Sequence, residues 1–114
     1  MENKIKQLRK GILELAILAS LDHESRYGYS LIKAIASRNG ILIAEGTIYP
    51  ILRRLLKEGL IQAKWEESNQ GPPRKYYSLT GEGKKAFDIL KTEFDRLKNM
   101  VSSLNIKKGA TEKG

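Results

Sequence analysis

Ile5, Leu8, Ile12, Leu15 and Ala19 recur at alternating three- and four-residue steps, the spacing of one stripe along a helix. Leu13, Ile17, Leu18 and Leu21 widen that stripe, so this first helix is expected to be buried on more than one side. Asp22-His23-Glu24-Ser25 reads as a turn, with Ser25 placed to cap a second helix that starts near Tyr27. Leu31, Ile32, Ile35 and Ala36 give the second helix a core face, and Asn39-Gly40 suits a left-handed C-terminal cap. Ile41 to Ala44 is short, apolar and flanked by Gly40 and Gly46; it fits a buried connector or a short strand equally, because periodicity does not separate the two. From Thr47 the helical pattern returns, with Ile48, Ile51, Leu52, Leu55 and Leu56 on one side. With Thr47 as its cap, Pro50 falls in the first turn, where a missing N–H has no intrahelical partner, and Gly59 closes the helix.

Leu60 to Glu67 then alternates, Ile61, Ala63 and Trp65 facing one way and Gln62, Lys64 and Glu66 the other, as a half-buried strand does. Trp65 is accordingly read as packed against the domain body. Ser68 to Pro73 is a turn-forming run, and Arg74 to Leu79 returns as the second strand of a hairpin, with Tyr77 and Leu79 on the core side and Tyr76 on the other. Thr80 leads into a last long helix whose apolar positions Phe87, Leu90, Phe94, Leu97, Val101 and Leu104 again step by three and four. The polar, basic tail 107–114 is expected to be mobile.

A chain of 114 residues holds one domain and an appended arm. Lys plus Arg number 21 against 13 acidic residues, a net charge of +8, which makes nucleic acid the leading partner and an anionic membrane surface the second. With no cysteine and one histidine, His23, neither a disulfide framework nor a metal site is expected, and His23 reads as a surface loop residue. No apolar run approaches the ~20 residues needed to span a bilayer, and no secretory signal pattern opens the chain, so a cytoplasmic location is expected. No nucleophile–base pair or phosphate-cradling glycine loop is present; neither an enzyme nor a cofactor is expected.

Three helices, a hairpin and a fourth helix in a small basic chain predict a mainly α fold with a small β-hairpin: a winged helix-turn-helix followed by a long C-terminal dimerisation helix. The B-DNA major groove, about 12 Å wide, admits one helix held proud of the body by the helix behind it. The outward positions of the third helix are Thr47, Pro50, Arg53, Arg54 and Lys57, with Tyr49 at the border. The hairpin adds Lys64, Gln70, Arg74 and Lys75, and the second helix adds Tyr29, Ser30 and Lys33. Tyr29 and Tyr49 fit a core-edge role or a DNA contact; both are carried in the candidate set.

Arg26-Tyr27-Gly28-Tyr29-Ser30-Leu31, Gly46-Thr47-Ile48-Tyr49-Pro50-Ile51-Leu52-Arg53-Arg54-Leu55, Glu58-Gly59-Leu60-Ile61 and Arg74-Lys75-Tyr76-Tyr77-Ser78-Leu79-Thr80 together resemble the PadR family of bacterial transcriptional regulators. The resemblance covers about residues 8–105 and implies a winged-helix repressor that binds double-stranded DNA as a homodimer, the first helix packing with the partner's last helix. It implies three segments: a DNA-binding unit at 1–79, a dimerisation helix at 80–106 and the tail at 107–114. The dimer set is then Ile5, Leu8, Ile12, Leu15, Phe87, Leu90, Phe94, Leu97, Val101 and Leu104. Some compact members hold planar hydrophobic drugs between subunits, and here Leu8, Ile12, Leu90, Phe94 and Leu97 match that place, with Phe94 standing where a drug-sensing relative has Trp. Ala44 stands where relatives carry a polar helix-start residue. The rival reading is a winged-helix protein-interaction adaptor without sequence-specific DNA binding.

Overall fold

The computed structural model describes residues 1–106; the tail 107–114 lies outside the described residues. The elements run α1 (Glu2–Ser20), β1 (Arg26–Tyr27), α2 (Gly28–Ala36), β2 (Ser37–Arg38), β3 (Ile41–Leu42), α3 (Glu45–Lys57), β4 (Ile61–Glu66), β5 (Arg74–Leu79) and α4 (Gly81–Leu104). The fold is the expected one, three helices and a wing followed by a long helix. Leu13, Ile17, Leu18 and Leu21 of α1 meet Leu31, Ile32 and Ile35 of α2 and Ile48, Ile51, Leu52 and Leu55 of α3 in one core, closed by Ile61, Tyr77 and Phe87.

Several local expectations are overturned. Arg26 and Tyr27 do not enter the second helix. They form an edge strand antiparallel to β5, Arg26 opposite Tyr77 and Tyr27 opposite Tyr76, and complete the sheet order β1-β5-β4. The helix therefore starts at Gly28, and Ser25 is not its cap. Arg26 secures the strand by donating from Nε to the Ser20 carbonyl at 2.7 Å. Asn39 and Gly40, with φ of 55° and 76°, are not a helix cap either: they are the turn of a tight hairpin pairing Ser37 with Leu42 and Arg38 with Ile41. Two successive left-handed residues match the twist of a two-residue hairpin loop. Of the connector, Ile41 and Leu42 are a short strand and are exposed rather than buried.

The third helix begins at Glu45, two residues before the expected cap, with Ala44 at the N-cap and no side-chain hydrogen bond there. Pro50 thus lies beyond the first turn and leaves the Gly46 carbonyl without its i+4 donor; both residues are exposed, so that carbonyl is open to solvent. At the other end Gly59 closes α3 as expected: at φ 75° it donates to the Leu56 carbonyl at 3.1 Å while Leu60 donates to that of Leu55 at 3.0 Å.

That cap is continuous with the start of α4. Thr80 accepts the Gly83 N–H at 2.9 Å and donates its own hydroxyl to the Gly59 carbonyl at 2.6 Å. Gly83 is obligatory by contact, because a Cβ there would overlap the Leu60 carbonyl. Lys84, bonded to Asp22 at 2.7 Å, ties the same turn to the end of α1 and is held more firmly protonated by that carboxylate. Beyond Phe87, α4 leaves the body, which stretches the molecule to 65 × 31 × 21 Å.

Candidate nucleic-acid interface

With Ile48, Ile51, Leu52 and Leu55 buried, the helical repeat turns Gly46, Pro50, Arg53 and Lys57 outward, with Tyr49 at one border. Thr47 and Arg54 fall on the other border, facing α1. Arg54 Nη2 donates to Glu14 Oε2 at 2.7 Å, and that carboxylate holds the guanidinium still more firmly protonated. Thr47 and Arg54 line a cleft of about 650 Å³ between α1 and α3 together with Lys6, Arg9 and Lys10. Two of the expected outward residues therefore flank the convex face rather than crown it. No sequence pattern shows the pair, since Glu14 and Arg54 are 40 positions apart.

Where β1 joins α2 and pairs with β5, Tyr27, Tyr29 and Tyr76 form one aromatic group: Tyr27 lies 6.3 Å from Tyr29, stacked, and 5.8 Å from Tyr76, tilted. Lys33 Nζ sits 5.4 Å from the Tyr29 centroid and the Arg74 guanidinium 4.6 Å from that of Tyr27. Cations at such distances are attracted by the ring quadrupole and held in place. Tyr29 is 59% exposed, while Ser30 beside it is half-buried. Tyr27 is not marked by the sequence pattern, because a two-residue strand has no periodicity to read.

In the wing, the register Ile61–Leu79, Ala63–Tyr77, Trp65–Lys75 defines one face, and Gln62–Ser78, Lys64–Tyr76, Glu66–Arg74 the other. Tyr77 is buried, as expected, and burial, then the nearby Tyr49, pushes its phenol up from 10.0. Trp65 is not packed against the body: it is 65% exposed, because the core ends at Tyr77 and the strand runs on past it. Gln70 lies in the exposed tip, its N–H donating to Ser68 Oγ at 3.4 Å.

Lys33, Arg53, Lys57, Lys64, Arg74 and Lys75 thus occupy α2, the outer face of α3 and the wing. Among the described residues, none of the six has a carboxylate within 4.0 Å, whereas Arg26, Arg54, Lys84, Lys85, Lys91 and Arg96 are paired; Lys4, Lys6, Arg9, Lys10, Arg38 and Lys98 are unpaired as well but lie off the outer face of α3 and the wing. Free cations and tyrosine hydroxyls on a protruding helix and hairpin are what a polyphosphate surface requires.

The chain matches the model of the transcriptional regulator PadR-like family over residues 17–89. It belongs to the PadR-like family of transcriptional regulators. A PadR-like transcription factor of Bacteroides fragilis is 38% identical, with 90% of this chain and 98% of that one covered and a TM-score of 0.73. A PadR-like transcriptional regulator of Bacillus cereus superposes with a TM-score of 0.80 at 34% identity, covering 90% and 99% of the two chains. An uncharacterised protein of Lysinibacillus sphaericus is 33% identical over 94 residues, 81% of this chain and 86% of its own. PadR-like proteins are DNA-binding regulators and not enzymes.

The residues expected at a PadR-type dimer interface lie as follows. Ile5, Leu8 and Ile12 are exposed on α1; Leu15 is partly buried against the core. Phe87, 7% exposed, is a core residue of its own chain. Leu90, Leu97, Val101 and Leu104 are exposed along α4, and half-buried Phe94 has Lys98 Nζ 5.9 Å from its ring centroid. Two clefts flank α1, the one described and another of about 410 Å³ floored by Ile12, Ile35 and Ile41; neither is lined by Leu90, Phe94 or Leu97. No helix among the described residues is long and apolar enough to cross a membrane.

Proposed function

We propose that the protein is a cytoplasmic homodimeric repressor that seats the outer face of α3 in the major groove of a pseudo-palindromic operator. The placement of Lys33, Arg53, Lys57, Lys64, Arg74 and Lys75 on α2, the outer face of α3 and the wing, with no carboxylate partner among the described residues, carries this reading, since such cations are free to displace counterions from phosphate. Residues 1–79 are the DNA-binding unit and 80–106 the dimerisation helix. Two-fold symmetry sets the two α3 helices roughly 34 Å apart, one turn of DNA.

The exposed apolar side chains of α1 and α4 support pairing of two chains, with Ile5, Leu8 and Ile12 against Leu90, Leu97, Val101 and Leu104 of the second copy. A planar hydrophobic effector between Leu8, Ile12, Leu90, Phe94 and Leu97 releases the operator if it favours a spacing of the α3 pair that does not fit; equal affinity for both spacings shifts nothing.

The experiment is a selection of duplexes from a random library, followed by titration of the selected duplex at several salt concentrations. Affinity falls with a logarithmic slope near −0.9 per phosphate contacted. Arg53→Ala combined with Lys57→Ala weakens binding by about a hundredfold, two contacts of about 1–2 kcal/mol each. Equal binding to all duplexes, or a double variant as tight as the parent, overturns the assignment of α3.

A further inference from the structure

Trp65 is the single tryptophan of the chain and its ring stands 65% in solvent. On the wing face it shares, Ile61 and Tyr77 are buried, and Trp65 with its cross-strand partner Lys75 is the next pair outward, beyond the edge of the core. Lys75 Nζ lies 5.8 Å from the Trp65 ring and 5.7 Å from that of Tyr77, so two aromatic faces hold one ammonium. The opposite wing face is different: Tyr76 and Arg74 are already engaged with Tyr27. Among the described residues, Trp65 has no aromatic partner and its indole N–H makes no hydrogen bond.

The direction this face looks follows from its neighbours. Ile61 and Tyr77 join the core with Ile48, Ile51, Leu52 and Leu55 of α3, and β4 packs against that helix. The Trp65–Lys75 pair therefore overhangs the angle between the wing and α3. A duplex whose groove receives Arg53 and Lys57 must run one sugar–phosphate strand through that angle.

We infer that Trp65 is a DNA-contacting residue whose indole lies along this strand, its N–H donating to a phosphate oxygen while Lys75 neutralises the same or the adjacent phosphate. The indole has an apolar face for the deoxyribose and one donor at its edge, and no acceptor to repel an anion. The contact positions the duplex and reads no base, so it is shared by specific and nonspecific complexes. This rests on the DNA-binding reading above.

The test uses the full chain and its only tryptophan. Labelled duplex is followed by anisotropy while Trp65 emission is read in a parallel titration. Emission is expected to be quenched and shielded from acrylamide with the midpoint of the anisotropy curve. Trp65→Phe, which keeps a ring and loses the donor, is expected to weaken binding about fivefold, and Trp65→Ala about tenfold or more, for selected and unrelated duplexes alike. Unchanged emission and acrylamide access at saturating duplex, or variants that bind as the parent does, overturn the inference while the DNA reading stands. An anisotropy curve that stays flat removes the DNA reading, and the inference with it. Emission that follows dilution of the dimer rather than addition of duplex overturns the inference by placing Trp65 in a subunit contact.

Discussion

Arg53 and Arg54 are adjacent in sequence and differ in what the fold offers them. Arg53 projects from the convex face with no partner among the described residues, whereas Arg54 turns to α1 and bonds Glu14 at 2.7 Å. An exposed guanidinium already charge-paired must exchange one carboxylate for one phosphate to touch DNA, with little net gain. Glu14→Gln leaves the side chain's shape and removes its charge. Arg54 is then free to reach phosphate, and the salt dependence of duplex binding is expected to steepen by about 0.9 in logarithmic slope. A slope identical to that of the parent shows Arg54 to be out of reach of the backbone. Gly83 is a second residue whose meaning is wholly local: its Cα packs against the Leu60 carbonyl. Gly83→Ala must displace backbone at the joint between α3, the wing and α4, and a loss of about 1–3 kcal/mol in denaturant unfolding is expected. An unchanged unfolding midpoint means that the joint gives way without cost.

Among the elements, the four helices and the wing are legible from their apolar stripes because each is long enough to repeat its own period several times. Departures from expectation gather where an element is too short to have a period. Arg26–Tyr27 is a strand only because β5 offers it an edge, and Asn39–Gly40 makes a turn because the strands on either side are two residues long. The start of α3 differs from expectation because no capping side chain marks it; the helix begins after Ala44 without one, anchored by four buried residues further along. Pro50 is tolerated for the same reason, since core packing outweighs one missing backbone bond. Trp65 shows the limit of alternation, which tells which face a residue is on and not how far the core extends beneath that face.

The molecule has a compact head and a projecting rod, and a single chain leaves the rod uncovered. α4 is 24 residues long, about 36 Å, and only its first turns reach the core. Ile89, Leu90, Leu97, Met100, Val101 and Leu104 are exposed beyond them, with Leu104 at 79%. Exposed apolar side chains recurring over that length are surface that a second chain would cover. Leu97→Asp, exposed in the single chain, leaves the head folded and is expected to yield monomers in sedimentation velocity, with duplex affinity reduced to that of one half-site. A variant that still sediments as a dimer removes α4 from the interface. Phe87 belongs to the same heptad-like series by sequence and to the head by structure, so the series contains one core position and five that follow α4 outward.

Repetition and sums along the chain already carry the helices and hairpin, the buried stripes, the excess of positive charge, and the four motifs that mark the PadR-like family. These depend on near neighbours in sequence, or on no arrangement at all. Folding in three dimensions is what distinguishes the free cations from the paired ones, joins Tyr27 to Tyr29 and Tyr76, brings Gly83 against Leu60, and leaves Trp65 overhanging the wing. Each of these depends on where whole elements lie relative to one another, which is fixed only when the core has set the helices and sheet together.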